Sequence, residues 1–356
     1  MKKKMAYCLR QLILLLVFGL VFVGESVATT GSISGVVQNS SGEPLAGIRV
    51  GAYLIDDEYN AVGGLISTAS DDPNTPENEA GTFTINGLPL EQTYKVRFVT
   101  TGTNHVEEWY NNSSDFTGAQ ELSLTAASPT ADVGIVQLAT GATITGTVTF
   151  SDGSPSSPVY VQAYVADSLD WVTYATVDST TGAYTLQGLP GGNYDIRFWA
   201  YGTGYVTEWY DDEFIQLSAT SVSVVAGGTT TGIDAALTLG GEISGQVSDV
   251  NGGIEGALVK VFDATDSTVL LGFTITAVDS GGAYTVTGLP FGMNLKVQFH
   301  ESEGDGTGSG MTEWYDNQSN FSTATTVSVE DAGIDAVLEP RDTTNLVPVY
   351  MLLGLL

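Results

Sequence analysis

The chain has a single cysteine among 356 residues, Cys8, so no intramolecular disulfide can staple it. Histidine is almost as scarce, with only His105 and His300. That leaves little material for a histidine-rich metal site or a nucleophile–histidine pair. Basic residues are few, 11 Lys and Arg against 41 Asp and Glu, for a net charge of −30. A surface this negative repels phosphate backbones and excludes nucleic acid as a partner. Periodic runs of helix formers are missing from the body of the chain. The only long apolar run, Leu12 to Val23, is shorter than the roughly 20 residues of a bilayer span.

That run has another use. Lys2, Lys3 and Lys4 precede it and Ser26-Val27-Ala28 follow it, the layout of a secretory signal peptide over residues 1–28. Cys8 lies before the apolar run, where a lipid-attachment cysteine would lie after it. Cleavage would remove four cations and Glu25, leaving a cysteine-free, more acidic chain outside the cytoplasm.

What is abundant is glycine, 43 residues, with Thr, Ser and Val: the vocabulary of short strands and tight turns. Three landmarks recur in order. A glycine closes an Ile-Ser or Ile-Thr pair at Ile33-Ser34-Gly35, Ile144-Thr145-Gly146 and Ile243-Ser244-Gly245. A Gly-Leu-Pro turn follows at 87–89, 188–190 and 288–290. Last comes a Glu-Trp-Tyr triplet: Glu108-Trp109-Tyr110, Glu208-Trp209-Tyr210 and Glu313-Trp314-Tyr315. The triplets lie 100 and 105 residues apart, the size of a domain rather than of a solenoid repeat.

Strand alternation is clearest after each Gly-Leu-Pro turn. Tyr94, Val96 and Phe98 alternate with Lys95 and Arg97; Tyr194, Ile196 and Phe198 with Asp195 and Arg197; Leu295, Val297 and Phe299 with Lys296 and Gln298. Period two with one apolar face marks a half-buried antiparallel strand. The fold class is therefore all-β: three tandem seven- to eight-stranded antiparallel β-sandwich domains of prealbumin or immunoglobulin-like kind. The expected division is a signal peptide (1–28), repeats at 29–139, 140–239 and 240–340, and an apolar tail at 341–356. The tail reads as a truncated sorting signal. Connections of three to five residues between repeats leave little room for independent tumbling.

The order Gly-x-Val, Asp-x-x-Gly-x-Tyr-Thr-x-x-Gly-Leu-Pro, Tyr-x-Val-x-Phe is carried by Asp178 to Pro190 with Tyr194 to Phe198, and by Asp279 to Pro290 with Leu295 to Phe299. It resembles bacterial carboxypeptidase-regulatory-like domains, of the transthyretin-like and carbohydrate-binding-like group. Repeat 1 matches over Gly81 to Pro89, with an acidic insert around Asp71 to Glu79. The resemblance covers residues 31–340 and implies accessory modules that position, adhere or bind glycans, with no catalytic residues. It extends to the isopeptide-locked repeats of Gram-positive adhesins, but residues 101–259 hold no lysine for such a lock. Lys95, Lys260 and Lys296 read as outward strand residues.

Candidate chemistry is sparse. His105-Val106-Glu107-Glu108 has the His-x-x-Glu spacing of zinc carboxypeptidases, but a catalytic zinc needs three protein ligands and His300 belongs to another repeat. No metal site and no catalytic residue is expected, and the chain reads as non-enzymatic. Calcium stays open at Asp56-Asp57-Glu58 and Asp71-Asp72-Pro73-Asn74, which are oxygen-rich but lack EF-hand spacing.

The triplets have two readings. Either each Trp packs over an end of its sandwich while Tyr and the next residue tie down a loop, or each is a stacking platform for sugar. Recurrence in every repeat favours the first. Repeat 2 offers a separate glycan candidate, since Tyr160, Tyr164, Trp199 and Tyr201 fall on the outward phase of their strands and concentrate in one repeat. The alternative is that they pack under a loop or against a neighbouring domain. The expectation is a monomeric, secreted or surface-displayed protein, structural or adhesive, with a polysaccharide or cell-surface glycan as partner. Membrane contact would come only through the tail. The rival is an accessory binding subunit of a secreted protease or glycosidase.

Overall fold

The computed structural model describes residues 30–66, 80–153, 157–300 and 312–338. The signal segment, the acidic stretch at 71–74 and the apolar tail lie outside the described residues. Repeat 1 contains β1 (Thr30–Asn39), β2 (Arg49–Leu54), β3 (Ala61–Ile66), β4 (Thr82–Pro89), β5 (Gln92–Val99), β6 (Glu108–Trp109), β7 (Leu122–Leu124) and β8 (Thr130–Leu138). Repeat 2 contains β9 (Ala142–Phe150), β10 (Tyr160–Val165), β11 (Trp171–Thr176), β12 (Ala183–Leu189), β13 (Gly192–Trp199), β14 (Glu208–Trp209), β15 (Val222–Val224), β16 (Thr229–Thr231) and β17 (Ala235–Leu237). Repeat 3 contains β18 (Gly241–Asp249), β19 (Gly252–Gly253), β20 (Leu258–Asp263), β21 (Leu270–Ile275), β22 (Ala283–Leu289), β23 (Leu295–His300), β24 (Thr312–Trp314) and β25 (Ala336–Val337).

Each repeat builds two sheets. The first sheets run β4-β1-β8, β12-β9-β16 with β17 also on β9, and β19-β18-β22 with β25 also on β18. The second run β3-β2-β5-β6 with β7 on β5, β11-β10-β13-β14 with β15 on β13, and β21-β20-β23-β24. Pairing is antiparallel except at the closure, where the last strands (β8, β16 and β17, β25) lie parallel to the first strand of their own repeat. No α-helix occurs among the described residues, and so none long and apolar enough to cross a membrane, which says nothing of β-barrels.

Between the two sheets of each repeat sits a separate core. It contains Tyr94, Val96 and Phe98 in repeat 1, Tyr194, Ile196 and Phe198 in repeat 2, and Leu295, Val297 and Phe299 in repeat 3. The inward phase of the alternation is therefore the apolar face. Buried tyrosines tie this core to the backbone. Tyr184 and Tyr284 donate their hydroxyls to the carbonyls of Ile233 and Ile334, at 2.5 and 2.7 Å. Burial raises the pKa of both phenols. The same two carbonyls press on Gly146 and Gly245, where a Cβ would collide with them. Hence the glycine at these two positions.

The chain divides into two compact units, one of residues up to Thr100 with Glu107–Leu138, the other of Thr101–Val106 with everything from Ala139 on. Repeats 2 and 3 thus share a unit. Between them, Gly240 N donates to Gly204 O at 3.0 Å. Gly288 of the Gly-Leu-Pro turn (φ +74°) lies where a Cβ would strike the Tyr205 carbonyl. The same unit repeats this construction with Gly141 N to Asn104 O at 3.0 Å and Gly188 against the His105 carbonyl.

Candidate functional site

The outer face of each second sheet carries the side chains of interest. Trp109 pairs in register with Arg97, Trp209 with Arg197 and Trp314 with Gln298, so each Trp shares the outward face of its strand. After Tyr110, Tyr210 and Tyr315 the chain folds back over that face. The Trp backbone exchanges two hydrogen bonds with Ser113, Glu213 and Gln318 respectively. The three indoles are left 6, 8 and 7% exposed. They lie beneath a returning loop on the sheet surface, not over an end of the sandwich, and their faces are covered.

The triplet glutamates point the other way. Glu108, Glu208 and Glu313 sit opposite Phe98, Phe198 and Phe299, on the inward phase. Burial pushes the Glu108 carboxyl up to about 7, and Glu108 Oε1 has no hydrogen-bond partner among the described residues. Glu208 also rises to about 7, from burial first and then from the charges of Asp212 and Asp211.

Under the returning loop, repeats 1 and 3 use one device. Phe116 stands edge-on to Trp109 at 5.1 Å, and Phe321 to Trp314 at 5.2 Å. Lys95 Nζ lies 4.4 Å from the Phe116 ring centre and donates to the Phe116 carbonyl at 2.7 Å. Lys296 does the same with Phe321, at 4.3 and 2.7 Å. These lysines keep the outward phase expected of them but are only 6 and 7% exposed. Read as solvent-facing from alternation, they are in fact roofed by the loop.

Repeat 2 replaces the pair. Asp195 stands where the lysines stand, and Gln216 where the phenylalanines stand. Gln216 Nε2 donates to Asp195 Oδ2 at 3.0 Å, Ser221 Oγ to Asp195 Oδ1 at 2.7 Å, and the Asp167 N–H to Oδ2 at 3.2 Å. Those bonds hold the carboxylate at 3% exposure, since a buried charge needs compensating donors. Gln216 brings no ring against Trp209 in place of Phe116 or Phe321. A cavity of about 390 Å³ opens there, walled by Tyr164, Tyr201, Trp209 and Ile215 of repeat 2 and by Val269 and Leu270 of repeat 3.

The arginine differs as well. In repeat 1 Arg97 Nε donates to Glu107 at 2.6 Å within an ion pair. In repeat 2 the acid's place is taken by Thr207. Arg197 Nε is buried without a partner among the described residues, while Nη2 donates to the Tyr201 hydroxyl at 3.0 Å. The guanidinium lies 5.3 Å from the Tyr201 ring and 5.5 Å from that of Trp209.

The four aromatic candidates all belong to this surface, though less exposed than alternation implies. Tyr160 packs on Trp199 at 5.5 Å, Trp199 on Tyr201 at 5.6 Å, and Tyr164 on Trp209 at 5.2 Å. Tyr201 bonds to the Leu270 carbonyl at 2.9 Å and packs on Phe273 at 5.2 Å. An open position for Tyr201 is thereby corrected: repeat 3 covers it, and burial raises its phenol pKa. Sequence reasoning missed two exposed rings. Trp171 (53% exposed) and Tyr174 (48%) lie on edge strand β11 and continue the row through Tyr174–Tyr160 contact at 5.8 Å. The signal available was an aromatic-rich run just after the Ser168–Asp170 turn.

Asp57 caps its own turn, accepting from the N–H groups of Tyr59 and Asn60 at 3.0 Å. His105 is partly buried, which lowers its pKa, and its Nδ1 has no partner among the described residues. No cluster of three or more His, Cys, Asp or Glu able to hold a metal occurs among the described residues.

No family model matches the chain, and no curated protein does. Among solved structures, the TIE protein of Bacillus anthracis is 14% identical, with 87% of this chain and 51% of that one covered, at a TM-score of 0.24. This chain therefore spans about half of that protein's length. A streptococcal ancillary pilin is 14% identical, covering 87% and 99%, at 0.25. The major pilin subunit of Bacillus cereus is 12% identical, covering 87% and 98%, at 0.20. Values this low establish neither a shared overall arrangement nor a shared activity.

Proposed function

We propose that the chain is a non-enzymatic, monomeric protein secreted or displayed at the cell surface. Its three tandem β-sandwich modules, of the carboxypeptidase-regulatory-like kind, serve presentation or adhesion, and repeat 2 contacts carbohydrate. The observation that carries this reading is the departure of repeat 2 from its siblings on one otherwise repeated surface. There the aromatic row Trp171–Tyr174–Tyr160–Trp199 runs to the cavity beside Trp209. Flat rings beside placed polar groups suit the C–H faces and hydroxyls of sugars. A glycan array probed with the secreted chain tests it. Retention of a defined glycan family, reduced by Trp171→Ala with Tyr174→Ala, is the expected result; an array blank across all families defeats the reading.

A further inference from the structure

We infer that the cavity between repeats 2 and 3 is a subsite for a neutral pyranose unit, with Arg197 as its anchoring donor; this rests on the carbohydrate reading and names the ligand class. The volume of about 390 Å³ falls at the small end of small-molecule sites, which run from about 300 to 1,000 Å³. Its walls are aromatic and aliphatic. Its polar groups are of mixed sign: the guanidinium of Arg197 and the carboxylates of Asp167, Asp195 and Asp266.

That mixture selects the ligand. The Arg197 guanidinium is the one cationic group among the lining residues. An anionic ligand would satisfy the arginine but meet three carboxylates, in a chain whose net charge is −30. A cationic ligand would be drawn to the carboxylates but repelled by Arg197, which occupies the space between Tyr201 and Trp209. A neutral polyol avoids both penalties. One hydroxyl or ring oxygen accepts from the Arg197 guanidinium, other hydroxyls donate to carboxylate oxygens, and the C–H face meets the ring walls.

The siblings supply the control. Asp195→Lys with Gln216→Phe installs in repeat 2 the lysine–phenylalanine pair that closes this space in repeats 1 and 3. Arg197→Met removes the donor and keeps the apolar stem. Calorimetric titration of the full secreted chain would use neutral di- and trisaccharides of glucose, mannose, galactose and N-acetylglucosamine, with uronate disaccharides in parallel. A neutral sugar should bind the unaltered chain. Its affinity should fall about tenfold or more in Arg197→Met and beyond detection in the plugged double variant, with the melting transition of each variant recorded. Should the double variant fail to fold, Arg197→Met decides. Neutral-sugar binding unchanged by Arg197→Met or by a folded plugged variant overturns the subsite but spares the carbohydrate reading. Preference for uronates overturns the ligand class. No sugar binding at all removes both.

Discussion

Repeats 1 and 3 roof their outer tryptophan with a lysine and a phenylalanine; repeat 2 roofs its own with an aspartate and a glutamine. The scaffold beneath is the same in register, strand order and the returning loop. Two coupled replacements therefore exchange a ring-filled layer for a cavity and reverse the sign of a buried charge. The new charge is satisfied locally, because Gln216, Ser221 and the Asp167 N–H all turn their donors on Asp195. Where the siblings are filled to hold shape, repeat 2 is open and polar.

The hardest blow to this comparison is removal of the tryptophans themselves. Trp109→Ala and Trp314→Ala should each cost about 3–5 kcal/mol in denaturant unfolding, and Trp209→Ala less, since its neighbourhood already contains a void. An equal loss in all three would break the contrast. Next, Lys95→Asp in repeat 1 should cost about 3 kcal/mol, because a carboxylate would face the Phe116 carbonyl without a donor. Adding Phe116→Gln should restore about 1 kcal/mol or more if the pair acts as a unit, and a double-mutant cycle reads that coupling directly.

A smaller effect comes with pH. Glu108 and Glu208 have native pKa values near 7, raised from 4.5. Their protonated forms fit the fold better, so the stability they contribute is full below about pH 4.5 and is lost as pH rises through about 7. Melting temperature should therefore fall between pH 5 and 8, and Glu208→Gln should flatten the slope. Glu108→Gln should do likewise in repeat 1, but without the share that Asp211 and Asp212 add in repeat 2. Smallest of all, Trp171→Ala should change stability by no more than about 0.5 kcal/mol. A larger loss would mean that the row is structural up to its edge.

The inner faces were legible because period two runs over five or more residues in β5, β13 and β23. The outer layer was not. β6 and β14 are two residues long, too short to show any period, and the loop that covers the lysines leaves no trace in alternation. Alternation placed Lys95, Asp195 and Lys296 on the correct side of the strand and could not say that a roof lay above them. Likewise it found Trp199 and Tyr201, but Tyr201 contacts β21, some 70 positions later, which no local pattern encodes. The recurring glycines announced close approach while concealing what approached: the Ile233 and Ile334 carbonyls in one case, the preceding repeat's loop in the other. The unfilled space near Trp209 could be sensed only as one missing phenylalanine.

Parallel closure has a mechanical corollary. In repeat 1 the entering strand β1 and the leaving strand β8 run side by side in the same direction, matched from Ser32–Thr130 to Asn39–Leu138. Tension applied through the two ends of such a module drags these strands in opposite senses along their length. Every bond between them is then loaded in shear together, rather than peeled one at a time as in a hairpin pulled at its open end. A tether exposed to flow would resist stretching through this seam.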